Sequence, residues 1–244
     1  MEDPNDEARR RFLVRALAAG MFGAGAGVSP ALWAQAQQLA AIPGPLPTGR
    51  SIFRLDGSAT VNGVAANLQT QISPGDEIQT GANSRLIFAV ESDAFLLRSS
   101  SRMQIEGGSS IISAVRMFSG ALLSVFGRRK TRPLRLNTSV ATIGIRGTGI
   151  YVEDNPDESY VCTCYGQTVI QSSDDPSSTE NIVSKQHDAP RYVTAAGASG
   201  SRIREAPFIN HDDEELALIE ALVGREPPFA VFGDGYGGPQ LDDY

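Results

Sequence analysis

The stretch SRLIFAVESDAFLLRS, residues 84–99, decides the fold class. In its first half, Leu86, Phe88 and Val90 alternate with Arg85, Ile87, Ala89 and Glu91. Residues two apart point to the same face of a β-strand, so this alternation predicts a strand with one apolar face. The second half, DAFLLRS, again has the length of a strand and follows turn residues.

The same pattern continues along the chain. The strand-length segments SRMQIEG, ALLSVFG, PLRLNTS and GIYVED follow, with turn residues between them. No long segment between residues 51 and 172 has the period of a helix. These features predict an all-β domain at residues 51–172, built as an antiparallel β-sandwich or roll.

Several motifs in this domain resemble those of the FecR domain, a family named for a periplasmic regulator of ferric-citrate uptake. The motifs, in order, are SPGDEIQTGANSRLIFAV (73–90), FSGALLSVF (118–126), VATIGIRGTGIYVE (140–153) and YGQTVI (165–170). The third motif resembles the most specific signature of the family, an Arg-Gly-Thr before an apolar strand. The resemblance implies a FecR-like fold whose signature residues are Gly75, Asp76, Arg146, Gly147, Thr148 and Gly166.

The signature residues have structural roles in this interpretation. Asp76 is expected to cap backbone amides in a turn. Gly147 and Gly149 suit a β-bulge or a close approach of the backbone. The guanidinium of Arg146 could donate to loop carbonyls or to a carboxylate. We therefore expect determinants of the fold here, not catalytic residues.

The N-terminus, residues 1–36, resembles a twin-arginine export signal. The matching residues are Arg9, Arg10, Phe12 and Leu13, with Ala34 and Ala36 at a signal-peptidase spacing. A Gly- and Ala-rich stretch follows the arginines, and it is less apolar than a membrane anchor requires. This resemblance implies a bacterial periplasmic or otherwise exported protein that crosses the membrane already folded. Residues 37–50 are predicted to form a Pro- and Gly-rich linker.

The whole chain is expected to be a non-enzymatic binding or sensing module. The best-known FecR proteins are anti-sigma regulators with a cytoplasmic helical domain, for which the eight residues before Arg9 leave no room. A stand-alone exported module is therefore expected, with an envelope protein as its partner and no transmembrane segment after cleavage. The net charge of −7 argues against nucleic-acid binding. No acid–base or nucleophile constellation is visible.

Both cysteines of the chain lie in one predicted strand, YVCTCYGQTV at residues 160–169. Tyr160, Cys162 and Cys164 should share one face of it. Val161, Thr163 and Tyr165 should share the other. By resemblance, the Val161 and Thr163 positions face the FecR core, so the thiols should face the C-terminal extension, residues 173–230.

Both histidines lie in that extension. His187 is in a Pro-bounded loop, HDAP, and His211 opens a predicted helix at residues 211–223 with Asn210 as its cap. The positive end of the helix dipole favours the neutral, ligating form of His211. The apolar face of the helix would be formed by Leu216, Ile219, Leu222 and Val223. Residues 231–244 are predicted to be a flexible, acidic and Gly-rich tail.

Three interpretations of the cysteine pair remain open. Cys162, Cys164, His187 and His211 could bind a transition metal, zinc, copper or iron, or serve a metal- or haem-dependent redox or electron-transfer protein. The two cysteines could instead form a disulfide, which would be strained at this spacing. They could also be two inert buried thiols, although free thiols are unusual in an oxidising compartment.

Overall fold

The computed structural model describes residues 44–108, 111–129, 133–195 and 201–229. The predicted export signal (1–36), the first half of the predicted linker (37–43) and the predicted acidic tail (231–244) lie outside these residues, so they remain predictions. Within the described part of the chain, no helix has the length and apolar character needed to cross a bilayer.

Fourteen strands and one helix make up the described chain. The strands are β1 (Ile52–Asp56), β2 (Ala59–Val61), β3 (Val64–Ala65), β4 (Glu77–Thr80), β5 (Arg85–Val90), β6 (Asp93–Leu97), β7 (Arg102–Gly108), β8 (Ile111–Val125), β9 (Leu134–Asn137), β10 (Ala141–Asp154), β11 (Glu158–Ser172), β12 (Thr179–Ser184), β13 (Arg191–Thr194) and β14 (Ile203–Glu205). The helix, α1, spans Asp213–Ala221. The all-β prediction is thus confirmed, with one short helix near the C-terminus.

The three longest strands, β8, β10 and β11, organise the sheet. β10 pairs with β11 along almost its whole length and also with the second half of β8. The first half of β8 pairs with β7 and β9. The pairing of β8 with β9 is parallel, whereas all other pairings of the described strands are antiparallel.

Apolar side chains form two separate cores on the two faces of this sheet. Leu86 and Phe88 of β5 lie in the first core, which gathers residues from nearly every strand. Because one cluster collects side chains from so many strands, the sheet must curl around it. Ile87 and Ala89 lie in the second core, on the outer face of the sheet beneath α1. The alternation in residues 84–99 is therefore confirmed, but both faces of β5 are buried.

The C-terminal extension contributes more than the predicted helix. β12 and β13 both pair with β11, and β14 pairs with β13. Apolar residues of all three strands enter the first core: Ile182, Val193 and Ile203. These strands are short and mostly polar, so their sequence carries little periodic signal. Their position is set by pairing with β11.

The helix lies within its predicted range but starts later. Its N-cap is Asp212, whose carboxylate accepts a hydrogen bond of 2.8 Å from the Glu215 amide. Asn210 is not the cap; it has a positive φ of 61° and lies before the turn. The predicted apolar face is confirmed, because Leu216, Ile219 and Leu222 are buried in the second core. Val223, the fourth predicted member, is partly buried and packs against that core.

The FecR-like signature residues have mostly the expected local roles. The Asp76 carboxylate accepts a hydrogen bond of 2.8 Å from the Ser73 amide, closing a turn in which Gly75 has a φ of 106°. The register of β10 against β11 shifts between Arg146 and Gly149, so the predicted bulge is present. Arg146 differs from expectation: its side chain is exposed on the outside of the sheet and has no hydrogen bond to a described residue.

Candidate metal centre

The two cysteines lie on the outer face of β11, as predicted. Cys162 and Cys164 belong to the second core and are fully buried, while Val161 lies in the first core. The structure holds them as free thiols. The strand therefore presents both sulfurs to the C-terminal extension.

The predicted face of Tyr165 is wrong, and a bulge explains why. Gly149 pairs with Tyr165 and Ile150 pairs with Thr163, so Cys164 is an extra residue in β11. At such a bulge two successive side chains of the longer strand can point to the same side. Tyr165 accordingly joins Cys164 in the second core.

His187 reaches the thiols through the pairing of β12 with β11. Ser184, at the end of β12, pairs with Gly166, which brings the following loop over Cys164. The His187 amide donates a hydrogen bond of 2.8 Å to the Cys164 carbonyl. His187 has a φ of 51°, in the left-handed region that costs free energy for a residue with a Cβ. Its surroundings thus hold this imidazole in a strained position facing Cys162.

His211 approaches from the other side, in the segment before α1. Its ring stacks on Tyr151 of β10, with centroids 4.4 Å apart and planes inclined by 20°. It is buried, like both cysteines. The strand β11, the loop after β12 and the segment before α1 therefore each contribute residues to one cluster.

The four predicted ligand residues come together at one point. Their ligand atoms all lie within 4.8 Å of one another. The distance from Cys162 Sγ to His187 Nδ1 is 3.6 Å, and the distance from His187 Nδ1 to His211 Nε2 is 3.1 Å. A tetrahedral zinc ion would place sulfur and nitrogen ligands about 3.6 Å apart and two nitrogens about 3.3 Å apart, from its usual bond lengths. The cluster is thus close to the size of a single-ion site.

In each histidine, the ring nitrogen that faces away from the cluster also has a hydrogen-bond partner. His187 Nε2 lies 2.8 Å from Asp213 Oδ1, and His211 Nδ1 lies 2.7 Å from the Ile209 carbonyl oxygen. Because a carbonyl oxygen can only accept, His211 donates from Nδ1, and in the neutral ring Nε2 then carries a lone pair. In the same way, a neutral His187 that donates from Nε2 to Asp213 has a lone pair on Nδ1. Metal-bound histidines characteristically donate their outer N–H to a carboxylate or carbonyl. Both inward nitrogens can therefore act as ligands.

Asp213 is the residue that sequence reasoning missed. It belongs to an acidic run at 212–215 at the start of α1, in which Asp212 is the N-cap. Asp213 lies in the first turn but also accepts hydrogen bonds from His187 and Gln186. The only signal in the sequence was its position two residues after His211, and a helix dipole accounts for that equally well.

The environment of the cluster shifts the pKa values of both thiols and of His187. Contact with Cys164, together with His187 and His211, lowers the pKa of Cys162 to about 4, although burial acts in the opposite direction. Burial and the neighbouring Cys162 raise the pKa of Cys164 well above its usual value. For His187, burial lowers the pKa, but Asp213 and Cys162 outweigh it and raise the pKa to about 9. The cluster thus favours one thiolate beside an imidazolium.

Two phenylalanines shield the histidines from solvent. Phe208 packs against His187 and His211, with ring centroids 4.5 and 4.7 Å apart. Phe229 lies 6.0 Å from the His187 ring, measured between centroids. The Phe208 side chain is 50% exposed, so it forms the outer surface above the site. An ion bound beneath it would be sheltered from water.

The series Cys162–His187–Asp213 has the hydrogen-bonded order of a nucleophile, a base and an orienting carboxylate. No such constellation was visible in the sequence. However, Cys162 is fully buried, and His211 faces the same nitrogen of His187 that would serve as base. A substrate carbonyl would have to displace His211 to reach the sulfur. The arrangement therefore suits an ion better than a substrate.

Comparison with known proteins adds little at the level of sequence. No protein-family model matches the chain, and no curated protein is significantly similar to it.

Among solved structures, the chain is similar to two crystal structures of a candidate anti-sigma factor from Parabacteroides distasonis ATCC 8503, at 1.65 and 2.50 Å resolution. Each has a TM-score of 0.43 and 15% sequence identity, over 53% of this chain. This chain spans 58% of the length of each of those structures.

Proposed function

We propose that this protein is a non-enzymatic binding or sensing module that holds one transition-metal ion between Cys162, Cys164, His187 and His211. One observation carries the proposal: two thiols and two imidazole nitrogens face a common point from three separate elements. Cys162, Cys164 and His211 are buried, and the His187 side chain is only 9% exposed. Hydrogen bonds behind both histidines fix the ligating nitrogens toward that point.

The donor set favours zinc. Thiolate and imidazole ligands in a tetrahedral arrangement are typical of Zn²⁺. Two thiolates and two neutral imidazoles around a divalent ion are formally neutral, so the buried site would carry no net charge. All four positions are supplied by the protein, and a catalytic zinc site keeps one position open. The geometry therefore supports a structural or sensing site.

The module itself is proposed to be FecR-like and exported. The support is the set of sequence motifs between residues 73 and 170 and the arginine pair Arg9-Arg10, in a chain that folds as an all-β domain. A twin-arginine route would allow the metal to bind before export. The bound ion would then protect both thiols from oxidation in the envelope. The partner of such a module would be another envelope protein.

The test is elemental analysis with a count of free thiols, on protein recovered from the periplasm. We expect about one zinc per chain, lost in Cys162→Ser and retained in Thr163→Ser, which alters the same strand on its opposite face. Stoichiometric copper or iron would instead assign the site to redox or electron transfer. Protein without metal, whether its thiols are free or joined in a disulfide, would refute the metal site.

A further inference from the structure

The four ligands of the candidate site belong to segments that are far apart in the chain. Cys162 and Cys164 lie in β11, His187 in the loop after β12, and His211 in the segment before α1. An ion bound to all four would cross-link these three segments. Its effect would reach beyond the ligands themselves.

The segment that carries His211 is attached mainly through side chains. From 207 to 211, no backbone amide donates to a backbone carbonyl of the described chain. The Tyr160 hydroxyl donates to the Pro207 carbonyl at 2.9 Å, and Arg98 donates to the Asn210 carbonyl at 2.7 Å. Farther along, Arg98 also pairs with Glu215 at 2.7 Å. By contrast, α1 packs its apolar face on the sheet.

Without an ion, the cluster leaves a buried acceptor poorly satisfied. His187 Nδ1 and His211 Nε2 lie 3.1 Å apart, and the outer nitrogen of each ring is already engaged. A single proton on His187 Nδ1 can be donated well to His211 Nε2 or to the Cys162 sulfur, 3.6 Å away, but not to both. Buried polar groups without partners are costly, and opening the segment to water relieves that cost. The metal-free state should therefore loosen at the histidine-bearing segments first.

We propose that the bound metal acts as a clasp, which means that it holds the His187 loop and the segment before α1 against the outer face of the sheet. Loss of the ion would release both segments while the β domain stays folded. This inference rests on the proposed metal site. The freed surface would be aromatic, because Tyr151 and Tyr160 lie under His211 and Pro207. Metal occupancy would thus control which side chains this face presents.

Hydrogen–deuterium exchange of the full-length chain, with Zn²⁺ and after its removal by excess EDTA, tests the clasp. Removal should speed exchange about tenfold or more in peptides covering residues 185–190 and 206–217, as expected for local opening. These peptides include the hydrogen-bonded amides of His187 and Glu215. Peptides from β5 and β6 should not change. His211→Gln should exchange rapidly at 206–217 even with Zn²⁺, and Thr163→Ser should behave like the parent protein.

The possible results separate the clasp from the metal site. One zinc per chain with unchanged exchange at both segments would overturn the clasp and leave the site intact. Faster exchange throughout the chain, including β5 and β6, would also overturn it, because the ion would then be needed for the whole fold. Failure to bind zinc at all would overturn both proposals.

Discussion

At the scale of single residues, His187 shows how backbone and side-chain contacts together fix the position of one imidazole ring. Its backbone has a positive φ, its amide is bound to the Cys164 carbonyl, and its ring is held between Asp213 and Cys162. A strained residue persists only where its surroundings determine its position. The strain is thus best explained by the role of its imidazole.

Asp213→Asn should weaken zinc binding without removing it. The amide can still accept from His187 Nε2, but it loses the charge that makes the imidazole a stronger ligand. Loss of such a partner typically costs about 10- to 100-fold in metal affinity. Competition with a chromophoric chelator measures this. Asp157→Asn, an exposed aspartate in the β10–β11 turn, is the control and should bind like the parent. Equal affinity of both variants would show that Asp213 does not support the site.

Glu220 is a second residue whose environment determines its chemistry. It lies on the buried face of α1, 2% exposed, where it accepts hydrogen bonds from Arg225 Nε and the Tyr165 hydroxyl. Burial raises the pKa of this carboxyl to about 7, although Arg225 acts in the opposite direction. The folded protein therefore binds a proton here that the unfolded chain has already lost at pH 6.

The free energy of unfolding should consequently fall as the pH rises from about 4.5 to about 7, by about 3 kcal/mol from this group alone. Glu220→Gln cannot ionise and should lack this part of the pH dependence. Urea unfolding of both proteins at pH 5 and pH 7.5, with the same zinc concentration, measures the difference. The two proteins should be similar at pH 5, and the Gln variant should be the more stable at pH 7.5. Parallel pH profiles would contradict the prediction.

At the scale of elements, the bulged hairpin of β10 and β11 builds the site. The extra residue at Cys164 turns Tyr165 toward the second core, while Gly149 and Gly166 allow the two strands to approach closely. A Cβ at position 166 would lie 2.6 Å from the Gly147 carbonyl oxygen, and Gly166 has a φ of 87°. Both facts favour glycine at this position.

Gly166→Ala should destabilise the fold by about 2 kcal/mol or more, because strain of the left-handed backbone adds to the clash. It should also weaken zinc binding, since Cys164 lies two residues away in the same bulge. Gly144→Ala is the matched control, because its new Cβ would have no neighbour closer than 3.8 Å. Thermal unfolding of both variants measures the effect. A Gly166→Ala protein as stable as the control would argue against a constrained hairpin.

At the scale of the whole molecule, the proposed twin-arginine route would set the order of metal binding and export. If the chain folds in the cytoplasm, its thiols can take up metal there and reach the envelope already protected. A Sec-type route would deliver an unfolded chain with two exposed thiols to an oxidising compartment. The arginine pair is therefore the feature on which this order of events depends.

Replacing Arg9 and Arg10 with lysine should abolish export and leave the folded, metal-bound protein in the cytoplasm. Cell fractionation followed by immunoblotting measures this, and Arg15→Lys, which lies outside the pair, serves as the control. Undiminished periplasmic protein from the Lys-Lys variant would exclude the twin-arginine route.

The sequence alone determined the strands of the predicted β domain and the apolar face of the helix. Alternation in residues 84–99 predicted the strands, the Gly-rich signature at 146–149 predicted a bulge, and the spacing from Leu216 to Leu222 predicted a helix face. Each depends on side chains within a few residues of one another, where period and turn chemistry decide the outcome. The chain order also suggested the four ligand residues, but not their contact.

Only the tertiary structure decided that contact. His187 reaches Cys162 because β12 pairs with β11, and His211 reaches it because α1 packs on the second core. The shift of Tyr165 and the role of Asp213 likewise arise from a bulge and from a docked helix. The contacts among the ligands of different segments join residues 24 or more apart in sequence, as for His187 and His211. No local pattern encodes them, because the free energy that selects them comes from burying both faces of the sheet at once.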